Sequence, residues 1–397
     1  MVPSYSRKAI SGQNNYLGMV ISHKMMETEM GYRGSKSEFL NPQPIEISVK
    51  EQRVDGSYFG SKNILRLRCT LTGGESRYHI KIPSKQLNQR TFSTLKNVLN
   101  PWFITGFTDA EGCFSIGIRP DAKLKTKWRV LPVFIIKLHK KDLIILEDIK
   151  KTLKVGKIRK SGANCVQYVV ESFKELVVLV NHFDNYPLVT VKVSDFLLFK
   201  QCFELIKNGE HLTVEGLLKI VSLKSSLNWG ISDKLTKNFP LVIPINRLEY
   251  KFKGIPDPFW IAGFTSGDGS FQIRLRKLNT NIGYRVSLLY SFHLHIRDLD
   301  VLKGLASYFN NNSKNPIEKK VGISEDKSVH LQIAKFTDIN EIVIPFFEKY
   351  PLEGVKSLDF EDFKKVCKLI ENKKHLTPLG IKAILDIKLN MNQNRNL

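Results

Sequence analysis

Two short stretches of the chain alternate apolar and polar residues without a break. In CFSIGIR (113–119), Phe114, Ile116 and Ile118 alternate with Cys113, Ser115, Gly117 and Arg119. In SFQIRLR (270–276), Phe271, Ile273 and Leu275 alternate with Ser270, Gln272, Arg274 and Arg276. Period two sends each set to its own face of a strand. A longer strand follows each, WRVLPVFIIKLH (128–139) and YRVSLLYSFHLH (284–295). The period then becomes helical around Leu143–Leu153 and Leu299–Tyr308. A short helix is expected ahead of each first strand, opened by Pro101 or Pro258, because the first helical N–H has no partner to lose. Strand pairs and helices in this order predict an α+β fold with antiparallel sheets.

The elements occur twice because the sequence does. PWFITGFTDAEGCFSIGI from Pro101 matches PFWIAGFTSGDGSFQIRL from Pro258, which puts Glu111 and Asp268 157 residues apart. Arg129-Val130 then matches Arg285-Val286, and KLHKKDL (137–143) matches HLHIRDL (293–299). HFDNYPLVTVKVSDF (182–196) matches FFEKYPLEGVKSLDF (346–360), and NGEHLTVEGL (208–217) matches NKKHLTPLGI (372–381). A series in one order means a duplicated unit of about 150 residues, an ordinary domain size. The chain divides into a first half at 96–231, a proline-rich linker at 232–257 and a second half at 258–393. Residues 1–95 have no partner in the repeat and form an N-terminal extension without an assigned role. His139/His295 and His211/His375 recur, but their spacing fits no zinc site, so structural roles are expected.

Charge narrows the partner. Among 397 residues, 61 Lys+Arg stand against 38 Asp+Glu, a net charge of +23. Such an excess points to a polyanion, because neutralised phosphates release their counterions. No apolar run is long enough to span a bilayer, and the start MVPSYSRKAISGQNNYLG has no signal-peptide core, so neither membrane insertion nor secretion is expected. Cys69, Cys113, Cys165, Cys202 and Cys367 are odd in number and scattered, which fits neither a disulfide framework nor a zinc ribbon. Abundant Lys, Asn, Ile and Phe fit an AT-rich genome such as an organelle's.

The segments ITGFTDAEG (104–112) and IAGFTSGDG (261–269) resemble the motif that names the LAGLIDADG homing endonucleases. The resemblance runs over about residues 97–393 and is nearest the single-chain, I-OnuI-like fungal mitochondrial branch. It implies two pseudo-symmetric αββαββα halves whose sheets form a saddle on double-stranded DNA. It also implies cleavage of both strands of a long site, and a mitochondrial location.

The residues of the motif suit that chemistry. Gly106 and Ala110, like Gly263 and Gly267, stand four apart and give each helix a small-residue face for close backbone approach. Gly112 and Gly269 are expected to end the helices in the left-handed conformation usual there. Glu111 and Asp268 then sit at two converging C-termini, each already carrying about −0.5 charge. A lone acid at a helix end would be a solvated surface residue; a duplicated pair calls for a cation. Carboxylates and the backbone carbonyls of Ala110 and Gly267 suit Mg²⁺, with Mn²⁺ or Ca²⁺ as substitutes, beside a scissile phosphate. The resemblance further implies a basic residue on the transition-state phosphate. Lys335 in LQIAKFTDI matches that position, where the first half has Ser172.

The polar positions 113, 115, 117 and 119, and 270, 272, 274 and 276, are the expected DNA-facing set. Arg129, Lys137, Arg285, Ser287 and His293 extend it on the second strands, and Lys157, Arg159 and Lys160 are assigned to phosphates. Arginine reads guanine and glutamine reads adenine in the major groove. A merely solvated sheet face is the competing reading, but Gln272, Arg274 and Arg276 directly after an acid favour DNA. Unequal halves predict a non-palindromic target and a monomer, since a homodimer needs a near-palindrome. An RNA-binding maturase acting on its own intron RNA is the alternative on the same scaffold. A catalytically dead DNA-binding relic is a third reading. The intact acid pair favours the nuclease over both.

Overall fold

The computed structural model describes residues 98–228, 230–278, 283–311, 321–324, 327–392 and 395. The N-terminal extension, Cys69 included, lies outside them.

The first half opens with α1 (Pro101–Glu111), which runs without a loop into β1 (Gly112–Pro120). The side chain of Asn100 accepts from the amide of Trp102, and Pro101 stands at the first helical position as expected. β2 (Trp128–His139), α2 (Leu143–Leu153), β3 (Lys157–Lys160) and β4 (Cys165–Val170) follow. They make an antiparallel sheet of order β1-β2-β4-β3. α3 (Phe173–Asn185), α4 (Lys192–Lys207) and α5 (Val214–Ser226) close the half. The helical region expected here as one element is thus three, because Pro187 follows the end of α3 and Gly209, at φ 73°, turns the chain after α4.

α6 (Asp233–Asn238) lies within the linker. The linker is tied down rather than loose: Ser226 Oγ donates to the Ile245 carbonyl (2.6 Å), and Ser194 Oγ to that of Leu248 (3.1 Å). α7 (Pro258–Asp268), β5 (Ser270–Lys277), β6 (Tyr284–His295), α8 (Leu299–Asn310), β7 (Val321–Ile323) and β8 (Ser328–Ile333) repeat the plan with sheet order β5-β6-β8-β7. α9 (Phe336–Asp338) passes through a π turn at Ile339–Val343 into α10 (Ile344–Lys349). α11 (Val355–Glu371) and α12 (Pro378–Leu389) complete the second half.

Each sheet buries one face under its helices. Phe114 of β1 sits among Phe134, Phe183, Phe196 and Phe199, with ring centres 5.1–5.6 Å away. Phe271 of β5 sits in the same way among Tyr290, Phe347, Phe360 and Phe363 at 5.1–5.6 Å. The other face of each sheet carries the alternating polar positions. No helix among the described residues is long and apolar enough to cross a membrane.

A candidate metal and DNA site where the halves meet

α1 and α7 touch backbone to backbone. A Cβ on Gly106 would lie 2.0 Å from the Trp260 carbonyl oxygen, and one on Gly263 would lie 2.1 Å from that of Phe103. No side chain fits at either place, which is why the helices need glycine there. Toward the C-terminal ends, a Cβ on Gly267 would meet Ala110 Cβ at 2.4 Å and Glu111 Cγ at 3.2 Å. The arm of Glu111 therefore lies against the helix that ends in Asp268.

Gly112 and Gly269 depart from expectation. Their φ/ψ values are −75°/148° and −73°/154°, extended rather than left-handed. The chain passes directly from helix into strand, so the cap must already be β-like. Glycine is needed for space: a Cβ would come within 2.5 Å of Thr108 Cγ2 in one half and Thr265 Cγ2 in the other.

Two lysines that sequence reasoning passed over meet the helix ends. Lys192 Nζ donates to the carbonyls of Thr108 (3.0 Å), Ala110 (3.3 Å) and Gly112 (2.7 Å). Lys356 Nζ donates to that of Gly269 at 2.6 Å. A cation here relieves the negative end of the helix. Burial pulls the ammonium of Lys356 below its usual range, against the opposing pull of Asp359, Asp142, Asp268 and Glu111. Both carboxylates are thus felt at one lysine. The signal was present: TVKVSDF and GVKSLDF carry a lysine at the same place in both units. Lys335 lies exposed at the N-cap of α9.

The donor chemistry fits a divalent cation. Among the described residues no cluster of three or more His, Cys, Asp or Glu exists; the oxygens available where the helices meet are the carboxylates of Glu111 and Asp268 and backbone carbonyls. That sparse, oxygen-only set suits a hard divalent cation. The carbonyl of Ala110 already accepts weakly from Lys192 and keeps one lone pair.

Register joins the polar positions into surfaces. On the second sheet Ser270 faces Ser291, Arg274 faces Ser287 and Arg276 faces Arg285. Arg274 donates to Gln272 (3.4 Å) and Gln272 to Ser270 (3.2 Å). His293 faces His330, and Ser291 faces Gln332. His330 and Gln332 thus share the face with His293, yet were missed because the alternation of SVHLQI (328–333) was read only as a strand.

On the first sheet Arg119 faces Arg129, while Cys113, Ser115 and Gly117 face Ile135, Val133 and Leu131. That face is therefore partly aliphatic, suited to thymine methyls. Lys137 faces Gln167, which faces Arg159 in turn. Both sheets oppose two exposed arginines at equivalent places, an arrangement that repels unless an anion lies over it. Arg129 is paired with Asp121 at 2.7 Å, and Arg159 with Glu171. The three residues assigned to phosphates separate. By register Lys157 and Arg159 share the face of Lys137 and Lys160 points to the helix side, where it lines a cleft with Lys150, Lys151 and Lys154 that Arg159 also borders.

His139 and His295 accept from the amides of Lys141 and Arg297 and so cap short turns, in structural roles.

The family model described as LAGLIDADG endonuclease matches residues 104–203 and 261–367. Probable intron-encoded endonuclease 3 of Neurospora crassa is 40% identical, over 96% of this chain and 74% of its own. The LAGLIDADG meganuclease I-CpaMI, solved bound to uncleaved DNA, is 46% identical with a TM-score of 0.70, over 74% of this chain and 100% of that one. I-SmaMI, bound to an uncleaved DNA target in the presence of calcium ions, is 40% identical with a TM-score of 0.70, over 74% of this chain and 99% of that one.

Proposed function

We propose that this chain, which belongs to the LAGLIDADG endonuclease family, hydrolyses both strands of one long, non-palindromic DNA site at the junction of α1 and α7. It is a site-specific DNA endonuclease of the homing type. The observation that carries the mechanism is the meeting of Glu111 from one half with the Asp268 end of the other, beside a lysine bound to each helix end.

Glu111 and Asp268 are the proposed metal-holding carboxylates, with the carbonyls of Ala110 and Gly267 beside them. A bound Mg²⁺ would activate water and stabilise the leaving oxygen; binding of I-SmaMI to uncleaved DNA with calcium supports divalent-ion use. Lys192 and Lys356 hold the helix ends in register and present positive charge where phosphate charge develops. They take the role that the sequence gave to Lys335. The proposed reading surface is the set 113, 115, 117, 119, 129 and 137 with 270, 272, 274, 276, 285, 287 and 293, joined by Gln167, His330 and Gln332. Both acids come from one chain, which supports a monomer. The intron-encoded relative and the composition support the mitochondrion.

The test is cleavage of a randomised plasmid library by purified protein in Mg²⁺ and in EDTA. Metal-dependent double-strand cuts at one recurring site are expected; well-folded protein that cuts nothing would overturn the mechanism. Binding of intron RNA has its own candidate surface, the lysines Lys150, Lys151, Lys154 and Lys160 of a cleft at the edge of the first sheet. Charge reversal there should lower RNA binding and leave DNA cleavage intact.

A further inference from the structure

Asp142 and Asp298 stand at the N-cap positions of α2 and α8, yet neither side chain caps its own helix. Aspartate at that position ordinarily accepts from the first turn that follows it. Both carboxylates reach across the junction instead. Asp142 Oδ1 accepts from the Val355 amide at 2.8 Å, and Asp298 Oδ1 from the Val191 amide at 3.4 Å. Val355 and Val191 immediately precede Lys356 and Lys192. The two bonds are related by the repeat, since KKDL matches IRDL and TVK matches GVK.

We infer that Asp142 and Asp298 are positioning residues, each setting the lysine of the half to which it does not belong. The inference rests on the endonuclease reading above. Each lysine grips the motif helix of its own half, while the carboxylate that fixes its backbone comes from the other. Neither lysine is set until both halves are assembled.

The exchange is unequal. The loop before Lys192 has a second anchor: Asp109 accepts from Val189 N (2.8 Å), Thr190 N (3.1 Å) and Thr190 Oγ1 (2.7 Å). Ser266, its counterpart, has a hydroxyl in place of the carboxylate and accepts from Glu353 N at 3.2 Å. The loop before Lys356 runs close to Asp142. Gly354 there has φ 67°, and a Cβ on it would lie 2.6 Å from Asp142 Oδ1. The first half carries Thr190 at the equivalent place. Lys356 therefore depends more on Asp142 than Lys192 does on Asp298.

The experiment uses the full chain and an end-labelled duplex of the site recovered from the library, each strand followed separately. Asp142→Ala should slow one strand about tenfold relative to the other, the size expected for one lost charge-assisted hydrogen bond. Asp298→Ala should slow the opposite strand by less, so that nicked plasmid accumulates with reversed strand bias. Asp142→Asn and Asp298→Asn keep an acceptor oxygen and should restore balanced cutting. Gly354→Ala, which keeps the carboxylate but crowds it and Ile145 at a backbone of φ 67°, should show the same direction of bias as Asp142→Ala. Hydrogen exchange at the Val191 and Val355 amides, read without DNA, should quicken in the alanine variants and stay slow in the asparagine ones. Equal slowing of both strands, or asparagine variants as impaired as alanine ones, would overturn the inference. Exchange unchanged in the alanine variants would do so even if the endonuclease reading had failed.

Discussion

Glu111 and Asp268 end two helices at the same place, and replacing them is expected to separate chemistry from recognition. Glu111→Gln or Asp268→Asn should abolish cutting while specific DNA binding persists, because the sheet faces are untouched; gel-shift and cleavage assays on one preparation decide it. Cutting retained by both variants would sink the site. Lys192→Met and Lys356→Met should each lower the cleavage rate by about a hundredfold or more, the loss typical of one electrostatic stabiliser. Lys335→Met should leave the single-turnover rate nearly unchanged. Asp298 gives a pH prediction. Burial pushes its carboxyl up to about 6, against the opposing pull of Arg297 and Lys192. The folded state then holds the proton more tightly than the unfolded chain. Stability contributed by this group should fall as pH rises from about 4 to about 6 and be level above. Urea midpoints at several pH values should show that descent shrink in Asp298→Asn.

At the scale of elements, the contact of α1 with α7 decides whether two half-domains become one site. Glycine at 106 and 263 is needed because each faces a carbonyl of the partner helix, not because the backbone is strained. Gly106→Val or Gly263→Val should cost about 3 kcal/mol or more through overpacking, read as a lower urea midpoint, and should depress cleavage further than binding. Phe114→Ala and Phe271→Ala should cost about 3–5 kcal/mol each by emptying the core beneath one sheet. The sheets themselves are pseudo-equivalent but chemically unlike. Leu131, Val133 and Ile135 interrupt the polar face of the first, whereas Arg274, Gln272 and Ser270 form a hydrogen-bonded row on the second.

At the scale of the molecule, a net charge of +23 and two arginine-bearing sheets predict binding that weakens steeply with salt. Replacing Arg276 by Ala should lower affinity and reduce the slope of log K against log salt by about one, if it neutralises a phosphate; relaxed base preference with an unchanged slope would make it a base reader instead. Sedimentation of the free protein at micromolar concentration should give a monomer. A dimer that survives high salt would count against the single-chain site.

The sequence by itself determined the duplication, the strand bounds at 128–139 and 284–295, the proline-opened helices and the acid at the end of each. These follow from local periodicity and from a repeat that marks equivalent positions. The repeat marks Lys192 and Lys356 as equivalent, but it does not place them at the helix ends, because they lie about 80 residues or more beyond the acids they accompany and resemble any surface lysine at the start of a helix. Nor could it reveal that Asp142 and Asp298 abandon their own helices, since local rules read each as a cap. Lys335 was matched by resemblance, and the structure places it at the N-cap of α9. The conformation of Gly112 and Gly269 was misjudged because the cap rule assumes a turn after the helix, and here a strand begins at once. Local pattern fixes which elements form. Only packing across the pseudo-twofold junction decides which distant side chains share one helix end, because that choice depends on distances no periodicity encodes.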